Sequence, residues 1–162
     1  MLNTSEVVEV CAFRVGEHCF AIASAGVAEV LSSAAIAPVP LAPPAIVGLL
    51  HLRGRIVPVI DMRQSLGLPD RPPAAASTHL VIRLADDWYS LLVDEVLDVQ
   101  TVGADRIEHP GKPVGGPAAD AVTGVYADAH RLVHLVDPER VVQALHRQRT
   151  VPFVRHGDPH GG

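Results

Sequence analysis

Basic and aromatic residues are scarce in this sequence, and the common motifs of catalysis are missing. Lys and Arg number 13 against 18 Asp and Glu, for a net charge of −5. A nucleic-acid partner is therefore not expected, because phosphates call for a basic patch. Three Phe, two Tyr and one Trp do not make a sugar-binding platform. There is no GxGxxG, HExxH, CxxC or GxSxG, and in "PGKPVGG" Pro follows Gly-Lys where a phosphate loop needs Ser or Thr. Two cysteines do not make a metal site. A hairpin turning at Gly16-Glu17 sets Cys11 opposite about residue 22 and leaves Cys19 roughly 10 Å away along the strand. A disulfide needs Cα atoms within about 7 Å, so two free thiols are expected. The charge-free stretch from Ala34 to Leu50 holds Pro38, Pro40, Pro43 and Pro44, which forbid a regular membrane helix. The start, "MLNTSEVVEV", has no basic segment and carries Glu6 and Glu9, unlike a secretory signal. A cytoplasmic protein without metal or cofactor is the expectation.

The polar residues that remain offer little chemistry. His130 and His134 read as neighbours on one strand, roughly 13 Å apart and too far for one metal. His156, Asp158 and His160 fall in a C-terminal tail. Asp94, Glu95 and Asp98 cluster after a strand, the one place where a small hydrolase with paired carboxylates is conceivable. An enzyme is not expected.

Internal repetition is more telling. "FRVGEHCFAI" (Phe13–Ile22) matches "IRLADDWYSL" (Ile82–Leu91), "VAEVL" (Val27–Leu31) matches "VDEVL" (Val93–Leu97), and "RIVPVIDMRQSL" (Arg55–Leu66) matches "RLVHLVDPERVV" (Arg131–Val142). The three blocks recur in order, at offsets of 69, 66 and 76 residues, which points to two similar halves. Each half opens on a hairpin of period-two alternation. Next comes the V-x-E-V-L segment, then a Pro-rich connection and a second hairpin. The outgoing strand of that hairpin ends in Asp.

Asp61 and Asp137 read as helix N-caps, with Gln64 at the capping-box position, Gly67 past the helix end and Pro138 opening the second helix. "PDRPPAAAST" (Pro69–Thr78) reads as a linker. The expected layout is one domain over 6–147: a first barrel at 6–68, a linker at 69–78 and a second barrel at 79–147, with strand exchange between the halves left open. A helix at 138–147 precedes a tail at 148–162. Short alternating strands and little helix indicate an all-β chain of two small barrels.

The stretch "GLLHLRGRIVPVID" (Gly48–Asp61) sets Arg53-Gly54 at the tip of an apolar hairpin. The second half has "YADAH" at that point, so the tip charge reads as particular to the first barrel and suited to recognition. Pro58 gives way to His134 in the second copy, so it reads as a residue tolerated at an edge or bulge.

With these features, the chain resembles the CheW family of chemotaxis coupling proteins over about Glu6 to Leu145. "IVGLLHLRGRIVPVIDMRQSLGL" is similar to that family's signature of Gly, Asn-Leu-Arg-Gly, an apolar strand with internal Pro, and Asp-Leu-Arg. "FRVGEHCFAI", "VAEVL" and "LLVDEVLDV" support it. His51 stands where the signature has Asn. The resemblance implies two packed five-stranded SH3-like β-barrels. It also implies a non-enzymatic adaptor, recruited to membrane-associated receptor arrays. Its partners would be the tip of a methyl-accepting chemoreceptor and the regulatory domain of a CheA-type histidine kinase. The same adaptor could serve a pathway that controls pili, surface sensing or a second messenger. Carried over by position, the receptor-binding residues are Val27, Glu29, Gly48, Arg53, Val96 and Val99. Kinase contacts are implied at the apolar barrel ends, without assigned residues.

Overall fold

The computed structural model describes residues 6–70, 77–111 and 115–157, with backbone alone for 148–157. The fold is all-β, with two α-helices and three 3-10 turns among the described residues. The first half supplies β1 (Val7–Val15), β2 (His18–Ala23), β3 (Val27–Leu31), β4 (Ile46–Leu52) and β5 (Arg55–Asp61), followed by α1 (Met62–Ser65). The second supplies β6 (Thr78–Leu84), β7 (Asp87–Val93), β8 (Glu95–Gly103), β9 (Val122–Asp128) and β10 (Arg131–Val136), followed by α2 (Pro138–Gly157). The last helix thus runs to Gly157 instead of ending at Arg147. Most of the linker, residues 71–76, lies outside the described residues, as do Asp158 and His160 of the tail.

The strands sort into two five-stranded sheets, β8-β1-β2-β10-β9 and β3-β6-β7-β5-β4. Neither is made from one half of the sequence, so a first barrel at 6–68 and a second at 79–147 do not describe the pairing. Each half lends its opening hairpin to the other: β1-β2 joins β8, β9 and β10, and β6-β7 joins β3, β4 and β5. Both sheets use the same topology, including one parallel contact each, β2 with β10 and β7 with β5. The first and third repeated blocks are therefore also a repeat of fold; in the middle block, register makes Val27 the equivalent of Val96 and not of Val93.

Alternation along the strands explains the packing. Phe13, Phe20 and Ile22 of one sheet meet Leu80, Ile82, Leu91 and Val93 of the other in a shared core, with Val141 and Leu145 of α2. The intervening residues Val10, Ala12, Ala21, Tyr126 and Val133 fill the interior of the first sheet. Leu50, Val57, Val59 and Leu92 fill that of the second. Period-two alternation thus serves two cores at once.

Among the described residues, backbone hydrogen bonds do not close either sheet into a barrel. The edges β8 and β9 are linked by side chains instead: Tyr126 donates to Gln100 Oε1 at 2.5 Å, and Gln100 donates to Asp128 Oδ2 at 2.8 Å. Arg131 completes the seam at 3.1 Å from Asp128. Tyr126→Phe leaves Gln100 Oε1 without this donor and is expected to cost about 0.5–1.5 kcal/mol. An unchanged urea midpoint would remove the seam from the account of stability.

Edges β4 and β9 are covered in the same way. Ala37 of the Pro-rich connection exchanges two 2.8 Å bonds with Leu49, and Glu108 exchanges bonds of 2.8 and 2.9 Å with Val125. This cover shields an edge that would otherwise invite pairing with another chain. It also accounts for Pro58, which is not on an edge: β5 lies between β7 and β4. Leu49, opposite Pro58, turns its N–H and C=O to Ala37, so no donor is missed on that side. Pairing with β7 begins only at Val59.

Helix ends follow their local chemistry. Asp61 accepts from Arg63 N at 3.0 Å, and Asp137 accepts from Glu139 N at 3.0 Å. The capping box at Gln64 does not form, because Asp61 N already donates to Ala45 O at 2.7 Å. Past α1, Gly67 takes φ +70°, and Leu68 N returns to Arg63 O at 2.8 Å, the Schellman arrangement. His130 sits in the β9–β10 turn, so it shares no strand with His134.

Candidate functional site

Two edge strands, β3 and β8, carry most of the sequence candidates. Both are irregular. Between Val27 and Glu29 the pairing with β6 slips by one residue, so Val27 faces with Ile82 and Glu29 faces with Val81. A second slip occurs along β8, where Val96 lies opposite Phe13 and Val99 opposite Cys11. Three residues apart on a regular strand, Val96 and Val99 would point to opposite faces. The bulge brings both to the face of Cys11 and Phe13. Val27 and Val96 are half-buried against the core between the sheets, whereas Val99 is 59% exposed. Val27 of one sheet and Val96 of the other thus pack on the same core.

The β4–β5 hairpin adds the charge. Leu52 pairs with Arg55, leaving Arg53 and Gly54 as a two-residue turn. Both have positive φ, +53° and +79°, as a type I′ turn demands. For Gly54 this conformation is free; for Arg53 it is an uncommon left-handed one. The side chain reaches β3 and makes a two-point contact with Glu29, 2.9 Å from Nε to Oε1 and 3.2 Å from Nη2 to Oε2. Arg53 remains largely exposed. Its hydrogen bond holds the Glu29 carboxyl below the usual range, aided by its charge and opposed by partial desolvation.

This pair has a counterpart. It joins an edge strand to the opposite edge hairpin of its sheet, as Asp128, Arg131 and Gln100 do in the other. The charge at the tip is thus less particular to the first half than the sequence implied: Arg131, just past the second turn, takes the equivalent duty.

Gly48 is a correction. It is buried, and a Cβ there would stand 2.6 Å from Ile36 Cγ2 and nearer still to the Ala37 carbonyl oxygen. A partner cannot touch it. Its task is to let the Pro-rich connection lie on β4, and Gly124 sits likewise beneath Ile107. Gly48→Ala is expected to lower stability by about 1–3 kcal/mol. A urea midpoint equal to the parent's would disprove that crowding.

The hydrolase alternative finds no support in geometry. Asp94 is buried against Arg63 at 2.6 Å, Glu95 pairs with Arg14 at 3.3 Å, and Asp98 lies 3.8 Å from Arg131. Each carboxylate is engaged by arginine, and Arg14 also approaches Asp94 at 3.5 Å. Among the described residues no cluster of His, Cys, Asp and Glu could hold a metal, and no helix is long and apolar enough to cross a membrane. Two shallow cavities, of about 420 and 320 Å³, lie beside Trp88 and between Tyr89 and α2, and none of Val27, Glu29, Arg53, Val96 or Val99 lines them.

Sequence reasoning did not single out Arg63, and it named Asp94 only as a carboxylate of the hydrolase alternative. The "DMR" of the signature and the "VDEVL" repeat contained them, but only the fold brings them together.

The CheW-like domain model matches residues 9–146. The chain belongs to the CheW-like family. Among its relatives, chemotaxis protein CheW of Rhizobium meliloti (strain 1021) is 30% identical over 141 residues, covering 86% of this chain and 90% of that protein. Protein FrzA of Myxococcus xanthus is 28% identical over 143 residues, covering 86% and 87%. The crystal structure of the scaffolding protein TtCheW from Thermoanaerobacter tengcongensis superposes with a TM-score of 0.72 at 24% identity, covering 81% of this chain and 89% of that one. The CheW-like fold thus extends to the paired sheets described above.

Proposed function

We propose that this chain is a non-enzymatic adaptor that couples the cytoplasmic tip of a methyl-accepting chemoreceptor to the regulatory domain of a CheA-type histidine kinase. The observation that carries this reading is the two-point Arg53–Glu29 pair beside an apolar rim of Val27, Val96 and Val99 on two irregular edge strands. A receptor tip is a helical hairpin, and an amphipathic helix seats in an apolar groove with charges at its border. The valines are stiff and lose little side-chain entropy on contact. Arg53, fixed by Glu29, gives direction to the contact. Gly48 supports the hairpin from beneath.

The kinase's regulatory domain shares this fold, so contacts at the two barrel ends suit it. Ile56 and Leu132 occupy equivalent positions at the starts of β5 and β10, and each is 60% exposed. They are our candidates for those contacts. Such an adaptor is cytoplasmic and reaches the membrane only through the receptor arrays. The test is titration of the full chain with a receptor-tip fragment and with the kinase domain. Binding of both at once is expected; binding of neither would refute the reading. Similarity to FrzA, which does not bear the chemotaxis name, favours a second reading in which the same adaptor serves pili, surface sensing or a second messenger. Genomic neighbours separate the two.

A further inference from the structure

The chain passes from one sheet to the other at Asp94, the single residue between β7 and β8. Its carboxylate is held from both sides. Arg63 of α1, which follows β5, donates from Nη2 to Oδ2 at 2.6 Å and from Nε to Oδ1 at 3.4 Å. Gly16, in the β1–β2 turn of the other sheet, donates its N–H to Oδ2 at 2.8 Å. The backbone N–H of Asp94 donates to Arg14 O at 3.0 Å, and Arg14 Nη1 approaches Oδ2 to 3.5 Å. Arg63 also donates to Pro69 O at 2.8 Å. Both charged side chains are more than nine-tenths buried.

The other crossover, from β2 to β3, is built differently. By strand register, which sets Val27 opposite Ile82 as Val96 is opposite Phe13, Ala25 stands where Asp94 does, and by the sequence repeat Glu139 stands where Arg63 does. That passage uses a 3-10 turn at Ser24–Gly26. One crossover is clamped by a buried ion pair; at the other, in an exposed contact, Ser24 Oγ donates to Glu9 Oε1 at 2.6 Å.

We propose that the Arg63–Asp94 clamp sets one sheet against the other and thereby positions the receptor rim. The core between the sheets is apolar, and apolar packing has no preferred direction; a two-point Arg–carboxylate contact does. Asp94 immediately precedes Glu95 and Val96, so it fixes where β8 enters its sheet. Val96 and Val99 are thereby placed relative to Val27, Glu29 and Arg53 on the other sheet. Arg63 and Asp94 are positioning residues and touch no partner. The link to receptor binding rests on the adaptor reading; the setting of the sheets does not.

The test uses Arg63→Met/Asp94→Leu. An apolar pair replaces a buried ion pair with little loss of stability, so the melting temperature is expected within about 5 °C of the parent's. Asp94→Asn, which keeps an acceptor for Gly16, is read beside it in case the double variant does not fold. Spin labels at Val30→Cys and Thr101→Cys, with Cys11→Ala and Cys19→Ala, report the distance between β3 and β8. A narrow distribution in the parent and a broader or shifted one in the variant are expected. If the rim is correctly set in one molecule in ten, receptor-fragment affinity falls about tenfold, with kinase-domain affinity within about twofold. An unchanged distance distribution overturns the clamp and leaves the adaptor reading standing. A changed distribution with unchanged receptor affinity overturns its link to the rim. A parent that binds no receptor fragment refutes the adaptor reading, while the distances still decide the clamp.

Discussion

Asp94→Ala is expected to destabilise the protein by about 3–5 kcal/mol, because it leaves the Arg63 guanidinium buried without its carboxylate. Arg63 is 7% exposed, so water cannot easily replace the lost partner. Gly16 N–H loses its acceptor as well, adding to the cost. Urea denaturation of parent and variant measures the effect, and a loss below about 1 kcal/mol would contradict it. The double apolar replacement should be far milder, since it removes both charges together.

The same pair predicts a pH dependence of defined sign. Burial by itself would raise the Asp94 carboxyl, but hydrogen bonds from Arg63 and Gly16, with the charges of Arg63 and Arg14, hold it below the usual range. A depressed carboxyl stabilises fully above its unfolded value of about 3.9. That contribution is lost as pH falls through the lower, folded value. The stability gap between parent and Asp94→Ala should therefore stay level from about pH 5 to 8 and shrink below about pH 4. A gap that changes near neutrality would show that another group is responsible.

Arg53→Glu is expected to weaken binding to a receptor-tip fragment at least about tenfold while the fold persists. The substitution destroys the two-point contact and sets a second carboxylate against Glu29. Because Arg53 is exposed and lies on a turn, little of the core depends on it. The variant should keep its kinase-domain affinity, which separates a local loss from a general one. Normal receptor binding, or loss of the folded state, would each defeat the assignment.

Much of the local structure was legible before the fold was known. Cys11 does lie opposite Ile22, Asp61 and Asp137 do cap their helices, and the four hairpins fall where alternation and turn residues put them. These features depend on a few neighbouring residues. The candidate site was legible only in part. Glu29 and Arg53, both carried over by the family resemblance, meet in the fold, but the facing of Val96 and Val99 depends on a bulge with no mark in the sequence. Gly48 was recognised as special, and its reason is a strap of chain at Ile36 and Ala37.

The sequence by itself determined the strands, the turns, the caps and the doubling of the pattern, because each arises from backbone preference and period over short range. Tertiary structure alone decided which sheet each hairpin joins, since hairpins of similar alternation can bury their faces in either half. It also decided that Arg63 and Asp94 meet, 31 positions apart, at the one crossover where charge, instead of apolar packing, sets the angle between the sheets. Directional contacts between distant residues exist only once the apolar core has brought them within reach, so no local pattern announces them.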